Sequence, residues 1–162
     1  MVCMKGAEPG SLMYEVINLR DRINLVASRL GGDRLIVFHP VSLPMPCFDA
    51  PELGFLRTVS WLYVLVYEAG SPSIGFLSKR IHLSQPDAID RNPAFLRLIH
   101  DLRTYLQHNL DPAGKRSIEI QEVCEEWFRQ NCGTRVPHSE DNWYVCLSSL
   151  LTEVVGFLKA TQ

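Results

Sequence analysis

The chain has 162 residues, 46% of them hydrophobic and 21% charged. That is an ordinary globular balance with enough length to bury a core, and it excludes a disordered or low-complexity chain. The formal net charge of −2 excludes a global basic field, so a nucleic-acid partner has to be held by a local patch.

Residues 1–10, with Gly6, Pro9 and Gly10, are expected to form a flexible N-terminus. Ser11 caps a predicted first helix over 12–30, whose Val16, Leu19, Ile23, Val26, Ala27 and Leu30 fall in one apolar stripe. Gly31 and Gly32 end it. Residues 31–50 are expected to form an irregular Pro-rich loop lying over the helices. Leu35 to Phe38 is apolar but short, and Pro40, Pro44 and Pro46 deny regular backbone bonding.

A second helix is predicted over 51–69, with Pro51 in its first turn and Glu52 at its positive end. From Phe55 to Tyr67 it is apolar nearly all round, which places it at the centre of a bundle or at a subunit interface. Glu68 closes it. After a turn at 70–73, a short helix is expected over 73–83, where Lys79, Arg80 and His82 form the best local basic cluster.

The next helix, over 92–110, organises the rest. Asn92 and Pro93 mark its start, and Asp111-Pro112 cannot continue it. Phe95, Leu98, Ile99, Leu102, Leu106 and Leu110 make one apolar stripe. At about 100° per residue, Arg97, His100, Asp101, Thr104 and His108 fall in a band opposite that stripe, with Arg103 on its shoulder. Lys115 and Arg116 follow in the next loop. Two further helices are predicted, one capped by Ser117 and reaching Asn131, the other over 140–159 behind a Ser139 cap. The expectation is a single all-α domain over 1–162, a bundle of four to five helices.

Cys3, Cys47, Cys124, Cys132 and Cys146 are odd in number and lack framework spacing, so they read as reduced thiols in a cytoplasmic protein. The apolar run from Val59 to Tyr67 is too short to span a membrane. No group of side chains has the spacing of a four-ligand metal site, and no metal or cofactor is expected.

Arg103 is followed five positions later by His108, late on a long helix of a small helical chain. The stretch Leu102-Arg-Thr-Tyr-Leu-Gln-His-Asn109 resembles the motif helix of HEPN domains (higher eukaryote and prokaryote nucleotide-binding), whose signature is R-x4-6-H. It departs from the nucleotidyltransferase-paired toxin branch at Thr104 and Leu110, where that branch has Asn and Tyr. The resemblance implies a two-fold homodimer and a metal-independent endoribonuclease leaving 2′,3′-cyclic phosphate and 5′-hydroxyl ends. It also implies a place in a toxin–antitoxin or phage-defence system, with a nucleotidyltransferase-like antitoxin as partner. Its catalytic residues are then Arg103 as phosphate clamp and His108 as general acid/base, supported by Asp101, Thr104 and Glu68. Lys79, Arg80, Lys115 and Arg116 would follow the RNA backbone. Along one helix Arg103 and His108 project roughly 140° apart, which by itself argues that partner subunits bring them together. A non-catalytic module of the same fold, binding RNA, a nucleotide or a protein, is the alternative expectation.

Overall fold

The structure, a computed structural model, describes residues 7–31, 36–70 and 91–161. It is all-helical: α1 Pro9–Gly31, α2 Pro51–Tyr63, α3 Arg91–Gln107, α4 Lys115–Cys132 and α5 Glu140–Ala160. No strand occurs among the described residues. The expected helix over 73–83, with Lys79, Arg80 and His82, lies outside the described residues.

α5 is the hub, packing against α1, α2, α3 and α4. Its buried residues, among them Leu147, Leu150, Leu151, Val154 and Leu158, recur at helical spacing and meet Leu12 together with Val16, Leu19 and Ile23 of the expected α1 stripe in one core, whereas Val26 of that stripe is exposed. α5 is also long and apolar enough to cross a membrane by length and composition, which no run of the sequence was expected to be. Its buried side chains belong to the core of this bundle instead. The Ser139 cap forms as expected, its hydroxyl accepting from the Asn142 N–H at 3.1 Å.

α2 begins on Pro51 and carries the centre of the aromatic core. Phe55 is wholly buried against Trp127 and Phe128 of α4 and Trp143 of α5, with centroids 6.0, 5.8 and 5.4 Å away. The expected single helix over 51–69 changes register: Val64–Ala69 is π-helical.

The loop before α2 is mostly exposed, but its buried Val37 and Phe38 are tied down by Asn24, as buried backbone groups require. The Asn24 carboxamide accepts from the N–H groups of Val37 and Phe38 and donates to the Phe38 carbonyl, while His39 N–H donates to the Ala69 carbonyl. Gly54 is needed there, because a Cβ at this position would stand 2.9 Å from the Cys47 carbonyl oxygen.

α4 starts two residues before the expected Ser117 cap. Asp111 folds the preceding turn by accepting the Ala113 N–H, and Gly114 occupies the cap position without a side-chain bond. Gly133, at φ +81°, ends α4 as glycine readily does.

Cys124 and Cys146 are buried and Cys47 is exposed. Burial pushes the Cys124 thiol up to about 12 and raises that of Cys146 as well. In the native protein a thiolate-directed reagent is expected to modify Cys47 and to spare Cys124 and Cys146 until denaturant is added. Peptide mapping of the labelled protein checks this, and equal labelling of Cys47 and Cys124 without denaturant would contradict the packing.

Candidate functional site

α3 lies between α2 and α4, so its buried arc is wider than its apolar stripe. Asp101 shows the consequence. It was expected on the outward band, yet it is wholly buried. Its Oδ1 accepts from Arg116 Nη2 at 3.0 Å and faces His100 Nδ1 at 3.2 Å. Its Oδ2 has Arg97 Nε at 3.5 Å and no hydrogen bond. A buried carboxylate is tolerated only when paired, and here the partners come from α3 and the first turn of α4. Asp101 therefore clamps the α3–α4 junction and does not touch His108.

Asp101→Ala is expected to lower stability by about 1–3 kcal/mol, the range for removing buried hydrogen-bonding partners. The figure stays modest because Arg97 and Arg116 are half exposed and can rehydrate. Chemical denaturation checks it, and an unchanged midpoint would contradict the clamp.

The other shoulder of α3 faces the aromatic end of α2. Tyr63 and Tyr67 stack with centroids 4.8 Å apart, and the Tyr67 hydroxyl donates to the Leu96 carbonyl at 2.7 Å. Partial burial, followed by the neighbouring Tyr63 and Asp101, raises the Tyr67 phenol above its ordinary value. The Arg103 guanidinium lies 4.3 Å from the centre of the Tyr63 ring, an electrostatic and stacking contact that orients its plane. His100 borders both rings, at 6.3 Å from Tyr63 and 6.0 Å from Tyr67.

Arg103 and His108 meet within one chain. Arg103 Nη1 is 3.3 Å from His108 Nε2. The expectation that two subunits are needed to bring them together is therefore corrected. α3 stops at Gln107, three residues before the expected end, so His108 sits where the helix finishes and the long Arg103 side chain reaches it. Arginine only donates, so in this contact Nε2 presents its lone pair.

The remaining candidates are dispersed. Thr104 donates to the His100 carbonyl at 2.8 Å rather than orienting His108. Glu68 is exposed and has no ion pair or hydrogen bond with Arg103 or His108 among the described residues. Lys115 is exposed at the start of α4. Arg116 is engaged by Asp101 and by Glu119 at 3.6 Å, and about half of its side chain remains exposed. Lys79 and Arg80 lie outside the described residues.

Tyr63 and Tyr67 were not among the candidates, and His100 was placed in the outward polar band of α3 without a role. The available signal was the i, i+4 spacing of the two tyrosines, which puts them on one face, and the adjacency of His100 to an acid. A separate cleft of about 430 Å³ lies where α2 and α5 begin, lined by Pro51, Leu56, His138 and Trp143. It contains none of the candidate residues. No group of three or more His, Cys, Asp or Glu side chains among the described residues is arranged to hold a metal.

Fold and site together define an all-α bundle that presents an Arg–His pair on an aromatic support. No protein-family model matches the chain, and neither a curated protein nor a solved structure does.

Proposed function

We propose that the protein is a metal-independent endoribonuclease of HEPN type, cleaving RNA to 2′,3′-cyclic phosphate and 5′-hydroxyl ends. The observation that carries this reading is the Arg103–His108 contact at 3.3 Å, with the guanidinium plane set by Tyr63. The reaction asks for two things. A group must move a proton near neutral pH, which imidazole does with little tuning. A fixed cation must take up the extra charge of the pentavalent phosphorus, and the planar Arg fork suits phosphate oxygens. In this reading His108 moves the proton, and Arg103 turns its outward N–H groups to the phosphate. Lys115 and the exposed half of Arg116 add positive charge where the chain leaves α3.

The resemblance of the Leu102–Asn109 stretch extends the proposal to a cytoplasmic homodimer, in which two such pairs face one cleft across a two-fold axis. It extends also to a role in a toxin–antitoxin or phage-defence system with a nucleotidyltransferase-like antitoxin.

The test is cleavage of total RNA and tRNA in EDTA by wild type, Arg103→Ala and His108→Ala. Cleavage by wild type that is lost in both variants, each folded as wild type by circular dichroism, supports the proposal. Equal background in all three overturns it and leaves the non-catalytic binding module as the reading to pursue.

A further inference from the structure

RNA transesterification moves two protons, one off the attacking 2′-hydroxyl and one onto the departing 5′-oxygen, and in an in-line displacement these two oxygens stand on opposite sides of phosphorus, so two separate groups serve them. We propose that His100, held on the buried carboxylate of Asp101, is the second proton-transfer group and protonates the 5′-oxygen, while His108 takes the proton from the 2′-hydroxyl. This inference rests on the ribonuclease reading and deepens it.

Three observations carry it. First, a carboxylate only accepts hydrogen bonds, so the 3.2 Å contact to Asp101 Oδ1 requires the proton on His100 Nδ1. That leaves Nε2 to exchange a proton with a ligand, and it has no hydrogen-bond partner among the described residues. Asp101 is wholly buried and held by Arg116 and Arg97, so its position is fixed, and the oxygen it shares with Arg116 orients the His100 ring. Second, His100 is reachable, with 42% of its side chain exposed. Third, it is correctly placed. Residues 100 and 103 are neighbours on a helix, both border Tyr63, and Arg103 touches His108 on its far side.

The backbone sets the spacing of the two imidazoles. Thr104 donates its hydroxyl to the His100 carbonyl, and its own carbonyl accepts the His108 N–H at 3.1 Å. The three residues thus follow one another at helical turns, and the two His Cα atoms stand on the order of 12 Å apart. A phosphate held by Arg103 lies between them.

The polarity of the hydrogen bonds assigns the roles. Arg103 donates to His108 Nε2, which therefore offers a lone pair and acts as the base once the guanidinium turns to phosphate. In the step itself, His108 Nε2 removes the 2′-hydroxyl proton and the 2′-oxygen bonds to phosphorus. The bond from phosphorus to the 5′-oxygen breaks, and the His100 imidazolium gives its Nε2 proton to that oxygen. His108 ends protonated and His100 neutral, and exchange with water restores both.

The experiment compares two substrates that differ in their need for an acid. The dinucleotide UpA has an alkoxide leaving group, and uridine 3′-(4-nitrophenyl phosphate) has a phenolate that departs unaided. His100→Ala and His100→Gln are expected to slow UpA cleavage at least 100-fold and nitrophenolate release less than 10-fold. His108→Ala is expected to slow both by comparable factors. Two variants are used because His100 packs on Tyr67, and the Gln form preserves side-chain volume. Equal losses on the two substrates in the His100 variants, or UpA cleavage at wild-type rate, would overturn the inference while the ribonuclease reading stands. Absence of turnover by wild type on both substrates would overturn the reading and the inference together.

Discussion

Phe55→Ala is expected to remove about 3–5 kcal/mol of stability, the range for deleting a buried aromatic side chain. Phe55 is wholly enclosed, and its three aromatic neighbours come from α4 and α5. A single truncation therefore opens the place where three helices meet. Two of those neighbours, Trp127 and Phe128, are themselves in edge contact at 5.5 Å, so they hold each other in place and collapse poorly into the void. Domains of this kind have total stabilities of about 5–15 kcal/mol, so the loss is a large share of the whole. The thermal midpoint should fall by roughly 6–20 °C, at 2–4 °C per kcal/mol for a chain of this size. Scanning calorimetry and urea titration check it. Val123→Ala on the exposed side of α4 serves as control and should shift stability by under about 0.5 kcal/mol. A Phe55→Ala loss below about 1 kcal/mol would show that the aromatic cluster is not the centre of the bundle.

Arg103→Ala is expected to slow RNA cleavage by about 10²–10³, the range for removing one preorganised donor to a developing anion. Arg103→Lys should recover little of that. The Tyr63 contact at 4.3 Å and the reach to His108 at 3.3 Å depend on a planar group with several fixed N–H directions. Lysine offers a compact, strongly hydrated charge with no plane to stack. Tyr63→Phe keeps the ring beneath the guanidinium and should stay within a few-fold of wild type, whereas Tyr63→Leu frees Arg103 and should approach the Arg103→Ala rate. Steady-state kinetics on one defined oligonucleotide separate the cases. Full activity in Arg103→Lys would mean that charge alone suffices and that the stacked geometry has no catalytic part.

Much of the fold was legible because it depends on local chemistry. The apolar stripes of α1 and α3, Pro51 at the start of α2 and the Ser139 cap of α5 are each readable from residue type and spacing, and each helix forms. The loop before α2 was legible from its prolines, although the role of Asn24 in tying it down was not, since that bond spans 14 residues. Asp101 was misplaced because a helical wheel shows only a residue's own helix. The first turn of α4 covers that shoulder and brings Arg116 to it. The Arg103–His108 contact was missed for a related reason. An angle of roughly 140° describes the directions of the Cβ atoms, and although His108 keeps its helical N–H bond to Thr104, the arginine is long enough to close the gap between the side-chain ends. Tyr63 and Tyr67 were read as core because α2 is apolar nearly all round, and only the packing of α3 shows which of its faces carries the aromatic support.

An Arg–His face on a helical bundle is proposed to cleave RNA through the RNA's own 2′-hydroxyl without a metal. The most direct test is mass spectrometry of the fragments made from a defined RNA in EDTA, with wild type and His108→Ala side by side. Fragments ending in 2′,3′-cyclic phosphate, paired with 5′-hydroxyl fragments, are expected from wild type alone. Fragments ending in 3′-hydroxyl and 5′-phosphate, or identical fragment patterns from the two proteins, would contradict it.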